Sequence, residues 1–249
     1  MNNGFDTVYY LNFGAPSPAA SVELAVQYAA AGCRHLQLDL PTQDPYLEHD
    51  IIRDRMLQSL SAFPSLGVYL DAICALHMRL PEVKLELTVY EDTLREIGFS
   101  RFFDFCAQAG IRYVAYLPQR QGADEALGAK LEAGGLHLLE AVPFHLPAGQ
   151  VARAVAAGRP IQLMMQSSQP PRPGCETLEE AIGWLRGQGA RQVYVTMGIR
   201  TPQCLAEVRR AGADGAYIGS CLIEAWGDKA ELSRRIAAFE RAAEQEVVE

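Results

Sequence analysis

Polar and apolar residues alternate strictly in the run His35–Leu40. Leu36, Leu38 and Leu40 make one set; His35, Gln37 and Asp39 make the other, the two-residue period of a strand whose faces meet different surroundings. Leucines belong against helices, so the polar set turns inward. The same parity turns Glu86, Thr88 and Tyr90 inward, opposite Leu85, Leu87 and Val89. It also turns Gln162 and Gln166 inward from one later run, and Tyr194 and Thr196 from the next. Carboxylates, amides, two phenols, two hydroxyls and an imidazole on one enclosed surface suit proton transfer and the hydrogen bonding of a polar substrate. The same set also reads as a buried network that only satisfies itself. Asn12, Tyr90, Glu91, Gln162 and Thr196 are the candidate substrate-binding residues.

A second chemistry is written in glycines. Gly198 ends the run VYVTMG just before the helix start Thr201-Pro202, and Gly219-Ser220 follow the run AYI. Glycines there let backbone N–H groups approach a phosphate, and a helix N-terminus favours its charge. Plain turn chemistry is the alternative.

The elements that must position these residues follow from spacing. Eight short apolar runs serve as strands: Val8–Phe13, His35–Leu40, Lys84–Val89, Tyr113–Leu117, Leu136–Val142, Ile161–Gln166, Gln192–Met197 and Ala216–Ile218. Amphipathic stretches fit between them. Ser17-Pro18 and Thr201-Pro202 open helices, with an N-cap side chain and a proline in the first turn. Glycine followed by a strand recurs in AGCRHLQL, AGIRYVAY, GARQVYV and AGADGAYI, the signature of a capped helix leading into a parallel strand. These alternations predict an α/β fold: one (β/α)8 TIM barrel with a parallel eight-stranded sheet, as a single domain over residues 1–249. An open doubly wound sheet is the rival, but NFGAPSP after the first strand is no GxGxxG fingerprint. Asp50 to Pro81 holds two helices, one of them extra to the barrel plan. A strand at GVYLDAIC is the alternative to the second, and the three- and four-residue spacings there favour helix.

Composition excludes several classes. Twenty-two basic against 30 acidic residues give a net charge of -8, with no basic footprint for nucleic acid. No stretch approaches the roughly 18 apolar residues of a membrane span, and the N-terminus carries no signal peptide. Six scattered cysteines without a CxxC pair read as reduced thiols of a cytoplasmic protein. Five histidines form no metal-ligand pair, so no metal is expected.

At the glycine-rich end the chain resembles the tryptophan synthase alpha chain family. MGIRTPQCLAEVRRAGADGAYIGSCLIE matches that family's phosphate end. LNFGAPSPAASVELAVQYAAAGCRHLQLDLPTQDP resembles its first βαβ unit, down to Pro41, Asp44 and Pro45. LTVYEDTLREIGFSRFFDFCAQAGIRYVAYLP is similar to its third strand, third helix and fourth strand. The resemblance implies a barrel that cleaves indole-3-glycerol phosphate by retro-aldol reaction into indole and glyceraldehyde 3-phosphate. It implies no metal or organic cofactor, and a beta subunit that receives the indole.

The departures lie where the family does its chemistry. Its general acid/base is a glutamate in a Leu-Glu-Leu-Gly pattern; here the pattern reads Leu36-Gln37-Leu38-Asp39, and a carboxamide exchanges no proton near neutrality. Its second carboxylate corresponds to Glu48, in a loop that has lost its glycine. Its flexible sixth loop is replaced by QSSQPPRPG, stiffened by three prolines, where Gly174 takes the place of the phosphate-binding glycine. Its Tyr-Asn-Pro has become Tyr90-Glu91-Asp92, in a segment that helps meet the beta partner. Asp39, one strand period beyond Gln37, is the expected displaced acid/base. Glu140 is its expected counterpart if its side chain points inward, since two carboxylates in one enclosed site split their pKa values. The expected function is an alpha-type lyase acting on indole-3-glycerol phosphate or a related phosphorylated substrate. The alternatives are a paralogue that cleaves, isomerises or enolises another polar substrate, and a non-catalytic binding barrel. Expected partners are a small phosphorylated substrate and either a beta-like subunit or a second copy of the chain.

Overall fold

The computed structural model describes residues 4–119 and 125–244. Strands and helices alternate from one end to the other: β1 (Asp6–Leu11), α1 (Pro18–Ala30), β2 (His35–Asp39), α2 (Asp50–Ala62), α3 (Leu66–Arg79), β3 (Lys84–Tyr90), α4 (Glu91–Ile97), α5 (Phe99–Gln108) and β4 (Tyr113–Leu117). They continue with α6 (Glu125–Ala133), β5 (His137–Leu138), β6 (Glu140–Pro143), α7 (Ala148–Ala157), β7 (Ile161–Met164), α8 (Leu178–Gly187), β8 (Val193–Thr196), α9 (Pro202–Arg210) and β9 (Gly215–Ile218). A short 3-10 helix, Ser220–Ala225, and α10 (Lys229–Glu244) complete the order.

The strands form one sheet in the order β5-β4-β3-β2-β1-β9-β8-β7-β6. The pairs β1/β9, β2/β3, β3/β4, β4/β5, β6/β7, β7/β8 and β8/β9 are parallel. This is the strand order of the expected (β/α)8 barrel. Its fifth strand is divided by Leu139 into β5, which pairs with β4, and β6, which pairs with β7. The extra helix after strand two is present, because the Asp50–Pro81 segment forms both α2 and α3.

Two compact units divide the chain: Met1–Tyr9, Ala31–Cys33 and Leu139–Glu249 in the first, Tyr10–Ala30 and Arg34–Leu138 in the second. In the second, Leu36, Leu38, Leu40, Leu87 and Val89 are fully buried. Each such side chain contributes roughly 1.5–3 kcal/mol. The register sets Gln37 beside Glu86 and Asp39 beside Thr88, with both strands covered on both faces as in other parallel sheets. The β1–α1 loop is fixed by close packing. Gly14 has φ +107, and an added Cβ there would lie 2.4 Å from the Tyr69 ring and 2.6 Å from Ser59 Oγ. Ser59 Oγ donates to the Gly14 carbonyl, and the Gly14 amide donates to Ser21 Oγ.

In the first unit, Val8, Tyr194 and Tyr217 form a small buried cluster, and Tyr194 donates to Asp6. On the other face of β1, Thr7 and Tyr9 donate to Glu240 of α10. The helix signals hold too. Ser17 Oγ accepts from Ala20 N, and Thr201 Oγ1 accepts from Cys204 N. The glycines that precede β2, β4, β8 and β9 (Gly32, Gly110, Gly189, Gly212) all have positive φ.

Two expectations are corrected. β1 begins two residues before the sequence reading and ends at Leu11, and β7 ends at Met164. Gln166 therefore belongs to an exposed segment beyond the strand instead of an inward face. There the ladder is not continued and the prolines that follow supply no N–H for it. Among the described residues no single helix is long and apolar enough to cross a membrane.

Candidate active site

Asp39, at the end of β2, is 1% exposed. Tyr10 donates its phenol proton to Oδ2, and Asn12 Nδ2 donates to the same oxygen at 2.8 Å. The amide of Phe13 donates to Oδ1 at 2.7 Å. Tyr10 and Asn12 stand one strand period apart, so both meet the carboxylate on the same face. Burial pushes the Asp39 carboxyl up to about 7, with the charge of Glu48 adding to the rise; the three donors oppose it and lose. A carboxyl at that level exchanges its proton near neutral pH, as acid/base chemistry requires.

Glu48 lies in the loop after β2, half-buried, and accepts from Tyr90 Oη at 2.9 Å. Burial raises its carboxyl too, against the hydrogen bond from Tyr90 and the charge of His49. Tyr90 is held edge-on by Tyr46 at 5.9 Å between centroids, and Tyr46 donates to the Pro118 carbonyl. Each of these two expected carboxylates thus meets a tyrosine hydroxyl, Asp39 buried and Glu48 half-buried.

Gln37 meets a carboxylate that sequence reading turned inward without assigning it a role. Its Nε2 lies 3.4 Å from Glu86 Oε2, and His35 Nε2 lies 3.1 Å from Glu86 Oε1. Glu91 is different in kind. Its side chain is 3% exposed, yet Tyr116 at 2.5 Å and Arg95 at 2.8 Å both bind it. Desolvation pushes its carboxyl up, and these partners together bring it below the ordinary value. Glu91 stays ionised and ties α4 to β4. Beside it, Thr42 Oγ1 donates to Asp92 Oδ2 at 2.5 Å and Thr93 Oγ1 to the Pro41 carbonyl, fastening the β2 loop to α4.

The remaining expected residues fall in the other unit. Glu140 opens β6, half-buried. Gln162 is buried in β7, at the same register as Tyr194, and Thr196 ends β8 half-buried. Gly198 has φ +101 and follows Met197, itself at φ +63, so the chain after β8 makes a left-handed corner. Gly219 caps the 3-10 helix that Ser220 begins. Gly174 has φ +78, but its amide already donates to Glu176 Oε1 at 3.0 Å, so an anion reaching it must displace a carboxylate. The loop before it is pinned where Arg172 lies over the Trp184 ring at 4.4 Å.

Tyr10, Glu86 and His35 are the residues that sequence reasoning left without a part. For Tyr10 the signal was its two-residue spacing from Asn12. For Glu86 it was a register that parity alone does not fix.

Residues 2–248 match the family model described as "Tryptophan synthase alpha chain". The tryptophan synthase alpha chain of Novosphingobium aromaticivorans is 27% identical, over 96% of this chain and 94% of its own. That of Prochlorococcus marinus is 26% identical, over 86% and 79%. Among solved structures, one protein of Aquifex aeolicus superposes with a TM-score of 0.84 at 17% identity, covering 96% of this chain and 93% of its own. Mycobacterium tuberculosis tryptophan synthase gives 0.81 at 21% identity, covering 98% and 95%, which shows a shared fold. The chain belongs to the tryptophan synthase alpha chain family.

Proposed function

We propose that this protein is an alpha-type lyase that breaks a carbon–carbon bond in indole-3-glycerol phosphate or a related phosphorylated substrate. The observation that carries the reading is Asp39, a buried carboxyl with its proton held near neutrality. In a retro-aldol step a base takes the proton of a substrate hydroxyl, the oxygen's electron pair closes a carbonyl, and the adjacent C–C bond breaks. The carbon that leaves must gain a proton. Asp39 is the group assigned to take the first proton. Glu48, also raised, is assigned to the leaving side, where it gives or shares the second. Gln37 is confined to hydrogen bonding, and Glu140 has no assigned step. Gly198, Gly219 and Ser220 are proposed to hold the phosphate, through amides at a helix start and a left-handed corner.

The test is direct. The protein is incubated with indole-3-glycerol phosphate, and indole and glyceraldehyde 3-phosphate are measured in equal amounts. Release of both supports the reading, and no release over that of buffer sinks it for this substrate. One observation favours a relative of that substrate: where the family pattern has glycine, this chain carries Asp39 and its tyrosine partner. A set of phosphorylated polyols lacking the indole separates the two.

A further inference from the structure

The acid/base reading leaves a geometric difficulty. Asp39 is 1% exposed, and both its oxygens are already engaged by Tyr10, Asn12 and Phe13. A substrate hydroxyl has no open oxygen of Asp39 to meet. Tyr10 is half-buried as a residue, and its phenol lies against Asp39 Oδ2.

Resting on the proposed role of Asp39, we infer that the Tyr10 phenol is the group that touches the substrate, relaying protons between a substrate hydroxyl and the Asp39 carboxylate. The step balances within the site. The substrate O–H breaks as its proton passes to Tyr10 Oη, and the phenol's former proton passes to Asp39 Oδ2. The substrate oxygen keeps the electron pair that forms the carbonyl. Tyr10 remains a neutral phenol before and after. That matters because burial, with the charges of Asp39 and Glu48, lifts the phenol well above its ordinary range and disfavours a free phenolate. The two transfers are therefore concerted.

Asn12 completes the device. Its Oδ1 is buried and has no hydrogen-bond partner, while Nδ2 donates to Asp39. An unpaired buried acceptor is unfavourable, because it has lost its water partners without gaining a donor. Once Asp39 carries the proton, a half-turn of the amide presents Oδ1 to the new carboxyl O–H. The arrangement then satisfies Asp39 in both protonation states, as a group that cycles between them needs. Asp39 acts through Tyr10 and is a positioning and proton-storing residue.

The experiment compares wild type, Tyr10→Phe, Asp39→Asn and the double variant in indole-3-glycerol phosphate cleavage across pH. The inference expects Tyr10→Phe to lower kcat by at least about a hundredfold with KM little changed. It expects the double variant to fall no further than either single one, and the ionisation near pH 7 to vanish from the Tyr10→Phe profile. Tyr10→Phe retaining its rate while Asp39→Asn loses it would overturn the relay and leave Asp39 as a direct base. A slow Tyr10→Phe that keeps the ionisation near pH 7 would also overturn it, reducing Tyr10 to a prop. No indole from wild type, or full activity in Asp39→Asn, defeats the proposed function and the relay with it.

Discussion

Gln37 and Glu86 stand at the same register on neighbouring strands, with Nε2 of one 3.4 Å from Oε2 of the other. The carboxamide where the family pattern has a glutamate is therefore not an isolated loss, since a carboxylate occupies the adjacent position. His35 reaches that carboxylate at 3.1 Å, so an amide, a carboxylate and an imidazole share one enclosed layer.

From this pair comes the first expected outcome. Gln37→Glu removes a donor from Glu86 and sets two carboxylates side by side, which cannot both ionise cheaply. Restoring the family's residue should therefore destabilise the protein by about 1–3 kcal/mol at neutral pH. Adding Glu86→Gln should recover most of the loss, because it exchanges the two groups. Chemical denaturation of the two variants checks this. A fully stable Gln37→Glu protein would show that the layer is wetter than its burial indicates.

The second outcome concerns pH and stability. The folded-state Asp39 carboxyl sits at about 7 against an ordinary value of 3.8, so between those values the folded chain holds a proton that the unfolded chain has lost. Its contribution is fully present at low pH and is lost as pH rises from about 4 towards 7. At 1.36 kcal/mol per unit, the loss is on the order of 4 kcal/mol. Glu48, also raised, acts in the same sense. Asp39→Asn should remove most of this slope, and unfolding free energies measured across that window for both proteins compare the two directly. Equal slopes would mean that Asp39 stays ionised throughout.

A third outcome concerns the anion. Millimolar inorganic phosphate or glycerol phosphate should raise the melting temperature by about 2–4 °C. Gly219→Leu should abolish that shift. Gly198→Val places a branched side chain at φ +101, and it should weaken binding and stability together. The site is wrong if the shift persists in Gly219→Leu.

A fourth outcome tests the frame around Asp39. Gly14→Ala drives a methyl into the Tyr69 ring at 2.4 Å and needs a left-handed backbone. It should cost at least about 2 kcal/mol. Combining it with Tyr69→Leu should return little of that stability, because Ser59 Oγ still lies 2.6 Å from the added methyl and the Tyr69 hydroxyl loses its bonds to Ser59 and Phe63. Differential scanning calorimetry of the single and double variants checks this.

Much of this architecture was legible in the residues. The two-residue alternation of Leu36, Leu38 and Leu40 against Gln37 and Asp39 fixes which residues of β2 share a face, because a strand has only two faces. Proline and glycine mark the helix ends for equally local reasons. What was not legible depends on neighbours in space. Tyr10 and Asp39 are 29 residues apart, and their bond follows from side-chain reach, which parity does not supply. The split at Leu139 reflects where β4 and β7 find partners, so Leu136–Val142 reads as one run in sequence. Glu91 reads in sequence as a candidate substrate-binding residue, and only the fold shows Arg95, one helical turn later, and Tyr116 bound to it. Gly174 has the backbone freedom expected of it, but only the fold shows Glu176 on its amide.

The central claim is that Asp39 carries the exchangeable proton of a lyase site, and one measurement addresses it most directly. The rate of indole release from indole-3-glycerol phosphate is followed from about pH 5 to 9 for wild type and Asp39→Asn. The account predicts a wild-type profile governed by an ionisation near pH 7, and an Asp39→Asn rate at least about a hundredfold lower with that ionisation gone. An Asp39→Asn protein that keeps both the rate and the ionisation would contradict it.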